Sequence, residues 1–191
     1  MRQNGHFSLS SSYVTTSWVL TGSCLSALAR NLASQGRAIL DTGFDGMFVC
    51  GMNTLAVLTE CFRSRLGDLT ALPSPHVYRF GGGTATAVRG VEFTVTIGEI
   101  ENSVIIHTVP GNLPLLMGTL AINAYRLVPV GYEGKVYQGS GSGELHRIDY
   151  IEFGSVVSVS VTGKPSERDF VSSGVDSKTS FIATGKVDAT G

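Results

Sequence analysis

The sequence predicts a mainly β domain with one or two short helices, and three observations predict it. Val91-Glu92-Phe93-Thr94-Val95-Thr96-Ile97 alternates apolar and polar residues without a break, which puts Val91, Phe93, Val95 and Ile97 on one face of a strand. Ser103 to Val109 returns as a second β-rich run after a turn at Gly98 to Asn102, the pattern of a hairpin. Two short apolar runs, Arg37 to Leu40 and Leu113 to Met117, each lead straight into residues that turn.

The remaining elements follow in chain order. Residues 1 to 12 are polar and Ser-rich and read as a loose terminus. Tyr13 to Leu20 is rich in β-branched and aromatic residues and reads as a strand, after which Leu25, Leu28 and Leu32 fall at helical spacing. Gly36 opens the strand Arg37 to Leu40. Beyond a turn at Asp45-Gly46 comes the apolar strand Met47 to Cys50. Asn53 is placed to cap a helix in which Leu55, Leu58, Phe62 and Leu66 form one apolar face. Pro73-Ser74-Pro75 is expected to break the chain into a loop. Pro110-Gly111-Asn112 turns into Leu113 to Met117, and Thr119 is placed to cap a short helix, Leu120 to Tyr125.

Past Val130 the composition shifts to Gly, Ser, Thr and Val. Gly139 to Gly143 reads as a flexible linker, and residues 144 to 191 as an appendage that either adds strands or stays unfolded; Val157 to Val161 is its one alternating stretch. The expected organisation is an N-terminal extension over 1–35, a folded unit over 36–130, and a Gly/Ser-rich linker and tail over 131–191.

Composition narrows the function classes. The 191 residues are 42% hydrophobic and 15% charged with a net charge of -1, which suits one globular domain with tails. Fourteen Lys and Arg balance fifteen Asp and Glu, and no basic run is interleaved with aromatics, so nucleic acid is not expected as a partner. Cys24, Cys50 and Cys61 lack C-x-x-C spacing, and His6, His76, His107 and His146 lie far apart, each read as a surface or strand residue. Neither a metal nor any other cofactor is expected. No apolar run is long enough to span a bilayer, and Ser17 to Ala29 is too diluted by hydroxyl residues to make a good signal peptide. No membrane partner is expected, and the cytoplasm is the expected location.

Chemistry concentrates at Ala38-Ile39-Leu40-Asp41-Thr42-Gly43. An acid directly after a short apolar strand, followed by turn residues, is a carboxylate at a strand end, partly desolvated and held on rigid scaffold. The triplet alone is also an ordinary β-turn. Val77-Tyr78-Arg79-Phe80-Gly81-Gly82-Gly83-Thr84 is the second such region: three successive glycines suit a mobile hairpin tip or a close backbone approach. A phosphate loop would need a Gly-Lys-Ser/Thr ending or a following helix, and has neither.

In this order the pieces resemble the retropepsin-like aspartic proteases, especially those of LTR-retrotransposon polyproteins, from about Gly36 to Val130. Ile39-Leu40-Asp41-Thr42-Gly43 is similar to the family's catalytic signature, Phe80-Gly81-Gly82-Gly83 is placed like its flap, and Leu115-Leu116-Met117-Gly118 resembles its second apolar-apolar-Gly block. The helix from Asn53 lengthens the span between the blocks, as is frequent in the retrotransposon type. The resemblance implies a closed or partly orthogonal β-barrel with Asp41, Thr42 and Gly43 catalytic. It implies further that Phe44, Asp45, Gly81, Gly82, Gly83, Leu113, Leu116 and Met117 meet a polypeptide substrate, with Gly118 packed behind the loop. Phe44 stands where the family has a small residue, so its ring is expected to crowd the nearest subsite.

Peptide hydrolysis by carboxylates needs two that share a proton, one as base toward water and one as acid. The chain has one Asp-Thr-Gly; Ala183-Thr184-Gly185 imitates the triplet without the acid. The second acid then comes from another copy, and the expected enzyme is a C2 homodimer. The competing expectation is a catalytically silent module of the same fold used for dimerisation or peptide binding.

Overall fold

The computed structural model describes residues 22–80, 83–130, 135–148, 150–153 and 156–163. The expected strand Tyr13 to Leu20, the triplet Ala183-Thr184-Gly185, and Gly81 and Gly82 lie outside the described residues.

The protein is mainly β with a few short helices. Helix α1 (Gly22–Ser34) precedes β1 (Arg37–Leu40) and β2 (Phe48–Gly51). Helix α2 (Met52–Phe62) and a 3-10 turn lead to β3 (Leu66–Phe80), β4 (Gly83–Ile97) and β5 (Ile100–Val109). Then come β6 (Leu116–Met117), α3 (Thr119–Ala124), β7 (Leu127–Val130), β8 (Lys135–Gly139) and β9 (Leu145–Arg147). The chain continues through β10 (Tyr150–Phe153), β11 (Val156–Ser160) and β12 (Thr162–Gly163).

Nine strands form one sheet in the order β10-β11-β1-β6-β2-β5-β4-β12, with β3 paired to β4; β7, β8 and β9 form a second. Among the described residues the large sheet is an open path, not the closed barrel expected from the sequence. Period-two alternation fixes which face of each strand is buried but carries no signal for which outermost strands meet.

Alternation also explains why there are two apolar layers. Ala38, Phe48, Cys50, Ile106 and Met117 enter the main core, while their neighbours Ile39, Val49 and Leu116 enter a second cluster with Leu32, Ala87 and Val109. The Leu28/Leu32 spacing read as helical lies in α1, whose Leu32 is buried. Gln138 links the small sheet to the large one, donating to the carbonyls of Ile97 and Tyr125 and accepting from the Glu99 amide.

Several local expectations change. Asn53 does not cap α2: the helix starts one residue earlier with Gly51 as N-cap, and the Asn53 side chain donates to Asn112 at 2.5 Å. Leu66 leaves the helical face to begin β3, because the 3-10 turn Arg63–Arg65 ends the helix first. Thr119 is likewise the first residue of α3, not its cap. Pro73 and Pro75 do not make a loop. They sit in β3 where the pairing jumps from Ala71↔Arg89 to His76↔Ala87, a bulge that asks for no amide donor there.

The described parts of the segments taken as extension, linker and tail, residues 22–35, 135–148, 150–153 and 156–163, pair or pack with the strands of the folded unit. Gly139 to Gly143 is a tight turn between β8 and β9, closed by the Ser140 amide on the Glu144 carbonyl at 2.8 Å. Strand β11 pairs with β1 through Ala38↔Val159, and Val159 and Val161 are fully buried. A short strand bounded by Gly36 and Asp41 exposes an outer edge, and the alternating valines supply both the missing ladder and its apolar side.

Candidate active site

Strand β1 carries Asp41 to the surface between two neighbours. The Ile39 amide donates to the Leu115 carbonyl at 2.8 Å and the Asp41 amide to the Met117 carbonyl at 2.9 Å, so pairing with β6 holds up to the acid itself. The chain then turns: the Phe44 amide donates to the Asp41 carbonyl at 3.2 Å. Thr42 and Gly43 are exposed at the tip, and Asp41 is half-buried.

The carboxylate accepts from the Gly43 amide at 3.0 Å on Oδ1. Burial raises the Asp41 pKa above the usual aspartate value, and the amides of Gly43 and Phe44 act against that rise. The result is an acid whose proton is held more tightly than in water, at an exposed loop tip.

The far side of the loop rests on α3. The amides of Thr119 and Leu120 donate to the carbonyls of Phe44 and Gly46 at 2.8 and 3.2 Å, and the Gly118 amide donates to Met47 at 2.9 Å. The Thr119 hydroxyl reaches Asp45 at 3.1 Å, so Asp45 is engaged from within the fold while remaining exposed. Gly118 is glycine for space: a Cβ there would run into the Gly46 carbonyl and the Phe44 ring.

Phe44 is not a freely projecting side chain. Its ring lies against Gly118 and Gly46 and meets Tyr78 edge-on, with centroids 5.6 Å apart and planes 72° inclined. Tyr78, Phe80 and Ala85 of the β3–β4 hairpin join it in the second cluster, together with Leu113. Leu113 is thus partly buried against the same cluster as Phe44. The other two apolar wall candidates are not exposed to a substrate: Leu116 and Met117 are fully buried, on opposite faces of β6, and Met117 lies in the main core. What β6 gives the site is the Met117 carbonyl. An apolar pair in sequence reads as wall, but successive strand residues face opposite ways, and here both faces are covered.

Gly83 begins the returning arm of the hairpin, paired with Phe80, at φ +141° in open surroundings. That backbone region favours glycine for conformation, not for space.

Sequence reasoning missed Tyr78 and His107. The Tyr78 hydroxyl is 2.5 Å from His107 Nδ1, and the His76 ring lies 4.5 Å from that of His107. Burial, then the charge of His76, lowers the His107 pKa, and burial raises that of Tyr78. A signal existed: His76, Tyr78 and Phe80 stand two apart along one strand, so they share a face, and His107 shares a face with Val109.

Among the described residues no three His, Cys, Asp or Glu are grouped to hold a metal, and no helix is long and apolar enough to cross a membrane. Cys50 and Cys61 are free thiols, and burial pushes Cys50 up to about 12. Compared with protein-family models, curated proteins and solved structures, the chain matches none.

Proposed function

We propose that the protein is an aspartic endopeptidase of retropepsin-like type, related to the LTR-retrotransposon polyprotein proteases, acting on polypeptides in the cytoplasm as a C2 homodimer. The observation that carries this reading is Asp41 at an exposed loop tip: its amide is fixed to Met117, its carboxylate holds the Gly43 amide, and its pKa is raised. The loop backed by Gly118 and faced by the β3–β4 hairpin supports the same reading, as does the order of the three sequence blocks.

One such acid does not complete the chemistry. In the dimer two Asp41 residues face each other across the axis; repulsion keeps one protonated, so one deprotonates water while the other protonates the carbonyl or the leaving nitrogen. Thr42 and Gly43, both exposed, form the contact between the two loops. Asp45, Leu113 and the glycines Gly81, Gly82 and Gly83 contact the peptide.

A peptide library incubated with the protein near pH 5 tests this. Cleavage is expected to rise more steeply than linearly with protein concentration and to vanish in Asp41→Asn. Cleavage unchanged in that variant, or absent at every pH and concentration, rules the enzyme out.

The Phe44–Tyr78 contact favours a second reading, a silent module of the same fold that dimerises or binds peptide. The aromatic pair fills space between loop and hairpin that a substrate would use. Dimerisation and peptide binding without cleavage would select it.

A further inference from the structure

We propose that Tyr78, His107 and His76 form an acid-released latch that holds the arms of the β3–β4 hairpin down over the catalytic loop. The latch is a conformational equilibrium that exists whether or not the loop cleaves peptides; only its consequence for turnover rests on the proposed protease activity.

The hairpin is tied at two points that meet in one side chain. On its loop side the Tyr78 ring contacts Phe44, and on its sheet side the Tyr78 hydroxyl meets His107 Nδ1 on β5. Neutral imidazole with its proton on Nε2 accepts the phenol O–H at Nδ1. Protonation fills that lone pair, turns the acceptor into a donor, and places a cation in a half-buried position beside a second imidazole 4.5 Å away. The phenol oxygen can accept from the new N–H, so what penalises the closed arrangement is the burial of that charge and its repulsion from His76. Neither penalises a raised hairpin, where His107 is hydrated and His76, on the hairpin itself, has moved away.

Among the described residues no charged group stands directly opposite His107 on the neighbouring strands. His107 pairs with Val49 on β2 and Gly90 on β4, neither of them ionisable. Cys50 and Arg89 are one position removed in register and occupy the alternate faces, Arg89 opposite Thr108. Glu92, opposite Ile105 on the His107 face, is engaged by the Ser103 hydroxyl at 2.5 Å. On β3 the facing groups are Tyr78 and His76 themselves. From the loop the contact is Phe44, three residues beyond Asp41.

The direction of the switch follows by linkage. A base whose pKa is lowered in the closed form stabilises that form above its ordinary value and loses the stabilisation as pH falls through the lowered one. Each unit of difference multiplies the open population by about ten. The hairpin is closed at neutral pH and released by acid, the condition under which a carboxylate pair can share a proton.

Amide exchange along 76–80 and 83–87, with the ring resonances of His107, measured by NMR between pH 8 and 4.5 and corrected for intrinsic rates, tests the latch. Protection of both arms should fall with the His107 titration, at one midpoint below that of a free histidine. Tyr78→Phe should expose the arms at neutral pH and flatten the dependence. His76→Gln, a change at an exposed position, should raise the His107 midpoint and blunt the release. Arm protection independent of pH, or a His107 midpoint unmoved in His76→Gln, overturns the proposal. A latch observed without cleavage counts against the protease alone; cleavage with no change in arm protection counts against the latch alone.

Discussion

The ring of Phe44, on the loop that bears Asp41, stands edge-on to the ring of Tyr78, on the hairpin that faces it. One contact thus couples the loop to the hairpin. Phe44→Ala removes it and should do two opposite things. Stability should drop by about 2–3 kcal/mol in urea unfolding, short of the loss at a fully buried phenylalanine because the ring is only partly covered. Peptide binding or cleavage should increase, most for peptides with large side chains, as read in a library assay.

Asp41 itself should make stability depend on pH in a stated direction. Its pKa is raised in the folded protein, so the fold binds this proton more tightly than the unfolded chain does. The stabilisation is complete below the ordinary aspartate value and is lost as pH rises through the raised one. Asp41→Asn should therefore match the parent protein at pH 3 and exceed it at pH 7 in thermal melts. An Asn that is equal to or less stable than Asp at pH 7 contradicts the desolvation account.

Gly118 is expected to tolerate no side chain. Its backbone is in an ordinary region, φ -88°, so the penalty of Gly118→Ala is steric: the new methyl meets the Gly46 carbonyl and the Phe44 ring. Overpacking of this kind costs about 1–3 kcal/mol, measurable as a lower denaturation midpoint. Because the strain falls on the loop, the Asp41 titration should shift as well.

The hydroxyl of Thr119 joins α3 to Asp45 and the Phe44 carbonyl. Thr119→Val keeps the shape and removes those bonds. A loss of about 1 kcal/mol is expected, with faster amide exchange across residues 42–46.

How much of this was legible follows from what each signal encodes. Arg37 to Leu40 and Val91 to Ile97 read correctly because burial on one or both faces writes itself into local periodicity. The loop bearing Asp41 was legible for a similar reason: strand, acid and turn are consecutive. Long-range pairing leaves no such trace. Nothing near Val159 says that its partner is Ala38, and Pro73 and Pro75 read as a loop because a bulge and a loop ask for the same residues. The wall residues went wrong at Leu116 and Met117 because sequence shows apolarity, not which covered face receives it. Tyr78 and His107 were missed because their contact joins two strands at a distance.

Strand β1 lies between Leu116 and Met117 on one side and Ser158 to Ser160 on the other. On a ribosome, therefore, the residue with the acid emerges early, but its β6 neighbour follows only about 75 residues later and the β11 neighbour of its strand more than a hundred residues later. Such non-local closure is slow, and a nascent chain exposes its unpaired strand meanwhile. The order of the strands alone thus keeps the loop that bears Asp41 unassembled through most of the chain's own translation.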